Sequence, residues 1–588
     1  MRSVLQAARV VAAAVVLLAG VAALPWLRGE DPARTVLRAR FTARGDDPAA
    51  VAALRAELGV PSDALEGAGG WLARAVRGDL GDSWRSGRPA VETVWPALQV
   101  SSSLALAALG VAVAVCAVLV AVPGVRAVGR GRPTSRGVGA TAAVLAALPE
   151  VVVGSLLVLV LAVGLRLLPA VGWDTPRDVL MPALALGTPA GGLLARLVTG
   201  VVDQAVAEPW GTTWRANGVP RRAFLATVTR RVLGHLAPQL VVVTVTVLGS
   251  AVAVEQVFAI PGAGSLAVDA ALTQDLPVLQ ACLAGFLAIG LVLGLLAAAV
   301  HRLVLGPALG QEDGPAVGLV EPPPSRTWWV AVGLLALLLV VGLPRNGTRS
   351  DLDARLAPPS WAHPWGADAV GHDLLGRLAH GTVLTVGLAL VVTLAAYVVA
   401  LVVGLPSRRG GIGVTDVWVT VPSTVVGIVV ASTWGPGLGG ACVAVLLVAW
   451  VPLAVHARDL SHSAWSAGHV QAAALAGSSD MRTLRVHVLP AVAAPLARHA
   501  LVRVPATALG IAGLGFLGLG ADPDAAELGA ILADGLRYLE RAPWVAAGPS
   551  AVLLLLGLVG GTTPVGRGPR SVRAPDRRPS RQAGRAGR

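Results

Sequence analysis

Few side chains in this 588-residue sequence could carry out chemistry, and most of them stand alone. Glu150 follows Pro149 inside an apolar run. A carboxylate in the centre of a bilayer costs about 3 kcal/mol unless it faces water or a partner. Glu150 is therefore a candidate for a group that lines a water-filled path and contacts a solute there. The alternative is a position near the membrane interface or at a helix kink.

Three histidines, His363, His372 and His380, lie close in sequence to Asp368 and Asp373. Imidazole and carboxylate groups together can bind a metal ion. The separations between these histidines do not place them on one helix face. We therefore interpret them as solvated loop residues and predict no metal site.

Two catalytic classes find no support in the sequence. Lysine is absent, so the chain lacks the P-loop lysine that reaches nucleotide phosphates and does not hydrolyse ATP by that route. No Ser-His-Asp set, GxSxG elbow or HExxH motif occurs. The three cysteines, Cys116, Cys282 and Cys442, lie far apart in apolar runs, which is typical of buried inert thiols. We predict that the chain is not an enzyme and holds no cofactor of its own.

The composition is that of a membrane protein. Hydrophobic residues make up 55% of the chain and charged residues only 14%, whereas a soluble domain carries about 25% charged residues. The net charge of +13 could suggest a nucleic-acid partner. However, the arginines lie in short segments between apolar runs and in the C-terminal tail, as the positive-inside rule describes. We predict a lipid bilayer as the environment and no nucleic-acid partner.

Apolar runs long enough to cross a bilayer, about 20 residues, recur twelve times. The first run could by itself be a secretory signal, but eleven further runs favour an uncleaved first helix. The predicted spans are 4–27, 98–123, 138–168, 179–198, 236–257 and 278–305 in the first half, and 327–343, 381–405, 412–433, 438–455, 491–517 and 543–563 in the second.

The spans divide into two units. A Pro- and Gly-rich segment, 306–326, is predicted to be a linker on the cytoplasmic side between a first unit at 1–305 and a second at 327–563. The tail at 564–588 carries eight arginines. Arginine-rich segments after spans 2, 4, 8 and 12 fall on one side, so both termini are placed in the cytoplasm.

An internal repeat supports the two units. LPEVVVG at 148–154 has the same pattern as VPSTVVG at 421–427, and each lies early in the third span of its half. Each half also has a long polar loop between its fourth and fifth spans. Two similar units in parallel order would pack as a pseudo-dimer around a path, which is a common plan for transporters.

The polar loop of the second half contains QAAALAGSSDMRTLRVHVLP, 471–490. Its small alanines allow another helix to approach closely, its glycine permits a sharp turn, and its arginines could pair with acids on a partner. The closing proline can begin the next helix without losing a hydrogen bond. The alternative is an ordinary amphipathic interfacial helix. The candidate contact residues are Gln471, Ala472, Ala473, Gly477, Arg482, Arg485, Leu489 and Pro490.

This segment resembles the EAA loop of binding-protein-dependent ABC importer permeases, with Gln in place of Glu. Four other segments resemble, in the expected order, signatures of the dipeptide, oligopeptide and nickel permeases. They are GDLGDSWRSGRPAVETV at 78–94, VEQVFAIPGAGSLAVDAALTQDLPVLQ at 254–280, PWGADAVGHDLLGRLAHGTVLTVGLAL at 364–390 and GFLGLGADPDAAELGAILADG at 515–535. The two halves look like the two different permeases of one importer, joined in one chain.

The resemblance implies an all-α polytopic protein of about twelve transmembrane helices, arranged as two six-helix type I ABC permease units. It implies a multi-pass protein of the bacterial inner (plasma) membrane that forms the translocation path for peptides or a related small solute. The implied partners are an extracytoplasmic solute-binding protein and two ATPase subunits, which hold ATP-Mg and grip the coupling loops. Whether the cargo is a peptide, a nickel chelate or another solute stays open.

The sequence departs from the family in two places. In the first-half loop, TTWRANGVPRRAFLATVTRR at 212–231, only Arg215, Ala216 and Gly218 keep the pattern, and Trp214 replaces a small residue. That half is therefore expected to dock its ATPase differently or more weakly. The family usually has an acid before FLGLG, at a place matched here near Ile511. The alternative function is a twelve-span secondary transporter driven by an ion gradient, for which Glu150 would be the coupling acid.

Overall fold

The structure, a computed structural model, describes a large part of the chain, and its regular elements there are helical apart from two isolated β-bridges. Within those residues seven helices are long and apolar enough to cross a membrane, or eight if one bent pair forms a single span, and four shorter helices are also apolar. The protein is thus a polytopic all-α membrane protein. The described residues are 18–23, 37, 48–58, 64–130, 134, 136–305, 326–406, 423–520 and 525–563.

The first unit contains ten described α-helices of eight or more residues, the fifth of which continues as a π-helix, Val158–Gly164. Residues 18–23 are also helical, and the rest of the predicted span at 4–27 lies outside the described residues. The helices are α1 (Pro48–Leu58), α2 (Ala64–Ala75), α3 (Ala90–Arg130), α4 (Arg136–Ala146), α5 (Glu150–Leu157), α6 (Leu180–Ala207), α7 (Pro209–Ala216), α8 (Arg221–Val257), α9 (Ala263–Leu272) and α10 (Leu276–Leu305).

The second unit follows a similar order. Of the predicted linker and tail, 306–325 and 564–588 lie outside the described residues, as does 412–422 of the predicted span at 412–433. The helices are α11 (Arg326–Gly342), α12 (Leu374–Gly404), α13 (Ser423–Trp434), α14 (Leu438–Trp465), α15 (Gly468–Leu475), α16 (Asp480–Thr483), α17 (Leu489–Phe516), α18 (Leu528–Leu536) and α19 (Pro543–Thr562).

Small residues set the packing of the long helices. In the first unit α3 lies along α6. Gly187 and Gly191 of α6, one turn apart, face Ala108 and Ala112 of α3 so closely that an added Cβ would overlap the backbone oxygens of both alanines. Small residues at this spacing let helix backbones approach in a bilayer, where apolar burial alone drives no association.

The segment predicted as one span at 138–168 is broken. Helices α4 and α5 meet at an angle of 89°, with Pro149 as the N-cap of α5 in an extended conformation. A proline disfavours a helical conformation in the residue before it and cannot donate the backbone hydrogen bond of a helix interior. Hydropathy alone does not detect this break, because the residues on both sides of it are apolar.

A short helix that hydropathy did not predict follows the fifth-span helix of each unit: α9 follows α8, and α18 follows α17. Each is preceded by a tight turn with one residue in the left-handed region, Ala259 at φ +50° and Gly518 at φ +73°. The two helices lie within the family-like segments at 254–280 and 515–535. Their equivalent places show that the two halves repeat one fold.

The two units share one buried apolar core, which contains residues of α3, α6, α8 and α9 together with residues of α12, α13, α17 and α19. Helix α19 packs on α4 and α5 of the first unit, and α13 packs on α8 and α9. At the first of these contacts Gly557 and Gly561 face Ala147 so closely that an added Cβ would overlap it. At the second, the Thr424 hydroxyl donates to the Gly249 carbonyl oxygen at 2.8 Å. The units therefore meet through small residues on both sides.

Candidate functional site

The two polar loops between the fourth- and fifth-span helices occupy equivalent places in the two units. In the first unit α7 lies between α6 and α8, and in the second unit α15 and α16 lie between α14 and α17. Each loop contains a helix of eight residues. The segments picked out by the EAA-like pattern therefore lie on short helices that connect two long ones.

Helix α15 is attached to its unit through one apolar side chain. Val470 is buried among Ala396, Ala400 and Ala457 of the neighbouring long helices. Gly477 then ends the helix at φ +85°, in the left-handed region. Its N–H donates to the Ala474 carbonyl oxygen at 3.0 Å. Only glycine adopts this conformation without strain, so the chain leaves the helix at a fixed angle.

The chain then returns to the long helix through a second capped turn. Ser479 is the N-cap of α16, and its hydroxyl accepts from the Arg482 N–H at 3.4 Å. Thr483 is buried, and its hydroxyl donates to the Ser478 hydroxyl at 3.0 Å. A π-helical turn, Leu484–Val488, joins α16 to α17 without a break. Pro490 therefore lies inside one continuous helix, Asp480–Phe516, and not at the start of a helix as predicted.

The outer face of this loop is apolar and basic. Leu475 is 90% exposed, and Met481 and Val486 are each 56% exposed. Arg482 and Arg485 are exposed beside them. Of the other predicted contact residues, Gln471, Ala472, Gly477 and Pro490 are exposed, and Ala473 and Leu489 are half-buried. The three exposed apolar side chains were not singled out from the sequence, although their place in the same motif is a signal that could have indicated them.

The first loop is built differently, because its aromatic residues turn back onto their own unit. The rings of Trp210 and Trp214 lie 5.5 Å apart, and each packs on Phe224 of α8, at 5.3 and 6.4 Å. This aromatic trio joins a buried cluster with residues of α3, α6 and α8. Trp214, which replaces the small residue of the family, is therefore used for internal packing.

An ion pair fastens the same loop from the other side. The Arg231 guanidinium donates to both carboxylate oxygens of Glu208, at 2.6 and 2.8 Å, and the Trp210 ring N–H also donates to Glu208. Burial by itself would raise the pKa of Glu208, but Arg231 and Trp210 hold that pKa below its ordinary value. A bidentate, charge-assisted ion pair of this kind fixes the orientation of the two side chains as well as their distance.

The loop residues that keep the family pattern lie at the end of α7. Arg215 belongs to the helix, Ala216 is exposed, and Gly218 follows in the left-handed region at φ +67°. Trp210 and Trp214 of this loop thus pack inward, whereas Leu475, Met481 and Val486 of the second loop are exposed. The two loops offer different surfaces to a partner.

Glu150 lies where the two units meet. It is the first residue of α5, and α5 packs on α8 of its own unit and α19 of the other. Ser250 of α8 is near its side chain and follows Gly249, whose carbonyl oxygen accepts from Thr424. The two repeated segments therefore approach the same turn of α8. The proposed contact of Glu150 with a solute stays a prediction.

The segment before each second-span helix forms a small hairpin with an isolated β-bridge, Asp82 to Pro89 in the first unit and Ala367 to Asp373 in the second. In the first unit the Trp84 N–H donates to the Asp275 carboxylate at 3.0 Å, and the Ser83 hydroxyl donates to the same group. The hairpin is thus fastened to the loop after α9.

Two buried aspartates hold the hairpin of the second unit. Asp368 pairs with Arg377 and His372, and Asp373 pairs with Arg345 at 2.6 Å and with His363 at 3.3 Å. His380 contacts a backbone carbonyl oxygen of α12. In the described residues no group of three or more His, Cys, Asp or Glu is placed to hold a metal ion.

These ion pairs predict a pH dependence. Burial by itself would raise the pKa of both carboxylates. The His372 and Val370 N–H groups and Arg377 instead hold the pKa of Asp368 below its ordinary value. Arg345 and the Gly376 N–H do the same for the pKa of Asp373. Their contribution to stability is therefore complete above the unfolded aspartate pKa of about 3.9 and is lost as the pH falls through the folded values. We expect hydrogen exchange at 366–374, corrected for intrinsic rates, to accelerate on acidification in this range.

The variant Asp368→Asn should reproduce at neutral pH the faster hydrogen exchange that the wild type shows at low pH. It should exchange faster than the wild type at pH 7 and show a flatter pH dependence, because one titrating partner of Arg377 is gone. Asp353→Asn, at an exposed acid of the same outer region, should leave the profile unchanged. A steep profile retained by Asp368→Asn would contradict the assignment.

The sequence matches one family of membrane proteins in both units. The family model described as binding-protein-dependent transport system inner membrane component matches residues 101–305 and 392–562, which together cover more than half of the chain. The two matched segments contain the two polar loops described above.

Individual relatives are single permeases. The di/tripeptide transport system permease protein DppC of Pseudomonas aeruginosa strain UCBPP-PA14 is 31% identical over 270 residues, which cover 40% of this chain and 88% of the relative. A probable D,D-dipeptide transport system permease protein of Escherichia coli strain K12 is 32% identical, covering 41% and 84%. The peptide transport system permease protein SapC of Escherichia coli strain CFT073 is 33% identical, covering 38% and 80%. Each relative therefore accounts for less than half of the chain.

Proposed function

The chain belongs to the family of binding-protein-dependent transport system inner membrane components, and from that premise we propose that it is the transmembrane permease subunit of an ATP-driven importer. Each unit supplies one half of the translocation path. Two ATPase subunits on other chains bind the two polar loops, and an extracytoplasmic solute-binding protein delivers the cargo. ATP-Mg is held by the partners and not by this chain.

The outward face of α15 and α16 is the observation that carries this proposal. Three large apolar side chains, Leu475, Met481 and Val486, are exposed next to two arginines. In a membrane protein a loop without a partner would be expected to bury such groups or lay them in the lipid interface. A helix in a protein groove would instead bury the apolar side chains and pair the arginines with acids.

The proposed orientation places this loop in the cytoplasm together with both chain termini. The positive-inside rule supports it, because arginines follow the second-, fourth-, eighth- and twelfth-span segments. The hairpins at 81–90 and 366–374 then lie on the opposite side, where they would receive the solute-binding protein. Glu150, between the units, would lie along the path.

The proposed cycle moves the two units against each other. Closure of the two ATPases on ATP pulls the loops together and turns the path towards the outside, and hydrolysis returns it. Coupling requires that the loops make different contacts in the two states. Helices α7 and α15 are short and fixed to long helices at both ends, so a force on them passes directly to α8 and α17.

Peptides are the cargo that we propose. The relatives named above are permeases for di- and tripeptides, D,D-dipeptides and peptides. Import into proteoliposomes that contain the chain, its ATPases and its binding protein should require internal MgATP and persist when uncouplers remove ion gradients. Import that follows an ion gradient without MgATP would instead establish the secondary-transporter alternative.

Removing the apolar contact tests the docking surface directly. In Leu475→Arg we expect about tenfold less P-loop ATPase to co-purify with the tagged chain, since a buried interface anchor contributes about 1–2 kcal/mol. Leu65→Arg is the matched control, because Leu65 is 83% exposed on α2, at the opposite side. Equal ATPase recovery from both variants would contradict the docking assignment.

A further inference from the structure

A buried carboxylate stands at the start of the short helix in each unit, and the two carboxylates come from different places in the chain. In the first unit it belongs to Glu255, on the long helix α8. In the second it belongs to Glu527, the N-cap of the short helix α18. Glu255 is 1% exposed and Glu527 is 0% exposed, so each needs hydrogen-bond partners inside the protein.

The first carboxylate joins three helices. One oxygen of Glu255 accepts from the Ser101 hydroxyl of α3 at 2.5 Å. The other accepts from the Ser265 N–H at the start of α9 at 2.8 Å. The Ser101 hydroxyl in turn accepts from the Ala263 N–H at 2.8 Å. We call this arrangement of carboxylate, hydroxyl and helix N–H groups the first clamp.

The second carboxylate makes the same set of bonds. One oxygen of Glu527 accepts from the Thr385 hydroxyl of α12 at 3.4 Å. The other accepts from the Ala530 N–H of α18 at 3.0 Å. The Thr385 hydroxyl accepts from the Leu528 N–H at 3.5 Å. This second clamp matches the first, group for group.

The chain positions of the partners correspond as well. Ser101 and Thr385 each lie eleven residues after the first residue of their hairpin-anchored helix, Ala90 and Leu374. Phe258 lies against Gly154 and Leu514 lies against Gly427, the last glycines of the two repeated segments, so Leu514 is the counterpart of Phe258. Ile511, three residues before Leu514, is then the counterpart of Glu255. The second unit therefore has an apolar residue where the first has the acid.

In each unit a glycine faces the carboxylate from the helix that does not carry the acid. A Cβ on Gly262, the N-cap of α9, would overlap the Glu255 carboxyl group, and a Cβ on Gly515 of α17 would overlap the Glu527 carboxyl group. The first unit thus has acid on the long helix and glycine at the cap. The second has acid at the cap and glycine on the long helix.

We propose that Glu255 and Glu527 are equivalent positioning residues for transport, each fastening the short outer helix to the long helices of its own unit. The acid has changed its place in the chain and kept its place in the fold. Resting on the proposed function, the clamps make each short helix move with its unit during the cycle. Helix α9 also contacts α13 of the second unit, so the first clamp fixes part of the surface between the units.

Relocating the acid tests the proposal. Glu527→Gly removes the carboxylate, and Ile511→Glu, one turn before Gly515 on α17, alone forces a second carboxylate towards the same volume. We expect each single variant to lower the Tm of the purified chain by about 5 °C and import by about tenfold. Combining the two changes recreates the arrangement of the first unit. The double variant should return to within about 2 °C of the wild-type Tm and recover most of its import.

The proposal would be overturned if the two changes lowered the Tm additively. It would also be overturned if the Tm of the double variant were no higher than that of the less stable single variant. Glu540→Gly, at an exposed acid in the same region, is the control and should alter neither quantity. ATPase co-purification should be unchanged in all these variants, because the polar loops are intact. The comparison of Tm values among the wild type, the single variants and the double variant does not depend on transport. A failure of MgATP-driven import would therefore count against the proposed function, while the Tm values would still test the clamp.

Discussion

Replacing Gly477 by proline should abolish ATP-driven import while leaving the chain inserted in the membrane. At φ +85° the position is inaccessible to proline, whose ring fixes φ near about −65°, and the N–H that bonds to Ala474 would be lost. The turn after α15 would have to rebuild, which moves Leu475 and the arginines away from the partner. We expect import to fall by at least about a hundredfold, with ATPase activity no longer stimulated by cargo.

Gly468→Pro is the matched control for this experiment. Gly468 is the first residue of α15, a place where proline is tolerated, and Ala467 before it is already extended at φ −68° and ψ 135°. This variant should import at close to the wild-type rate. Wild-type import by Gly477→Pro, or an equal loss in both variants, would show that the turn does not transmit the force.

A leucine at Gly557 should separate the two units. The Cβ alone would overlap the Ala147 carbonyl oxygen of the other unit, and forcing larger groups into a packed contact costs about 1–3 kcal/mol or more. With a protease site placed in the linker at 306–326, we expect the two halves of the wild type to stay together on an affinity column after cleavage. The halves of Gly557→Leu should come apart, and import should be lost.

Gly333→Leu provides the comparison. A Cβ on this residue of α11 meets nothing within 4 Å, so a leucine there adds apolar surface without a clash. Its cleaved halves should remain bound to each other. If the halves of Gly557→Leu also remained bound, the contact of α19 with α4 and α5 would not hold the units together.

Much of the fold could be predicted from the sequence, since bilayer thickness sets the length of an apolar run and the family motifs fix their order. Two local features could not. The break at Pro149 is hidden in hydropathy because apolar residues flank it on both sides. Trp214 reads in sequence as a change at a docking position, but it packs on Trp210 and Phe224, and only the tertiary contacts show on which side it lies.

The carboxylate of the second unit shows the same limit more sharply. The sequence shows Ile511 where the family usually has an acid, and the obvious inference is that the acid is missing. Glu527 replaces it from a later segment, because α17, α12 and α18 bring Gly515, Thr385 and the helix N–H groups to one point. A spatial substitution of this kind leaves no trace in the spacing of a motif.

Because the two units belong to one chain, the contact between them does not have to bring separate subunits together. Separate subunits must find each other by diffusion, whereas joining two units in one chain makes their contact intramolecular. The small-residue contact of Gly557 and Gly561 with Ala147 can then slide without the units separating. In one polypeptide the two unlike units are also always present in equal numbers.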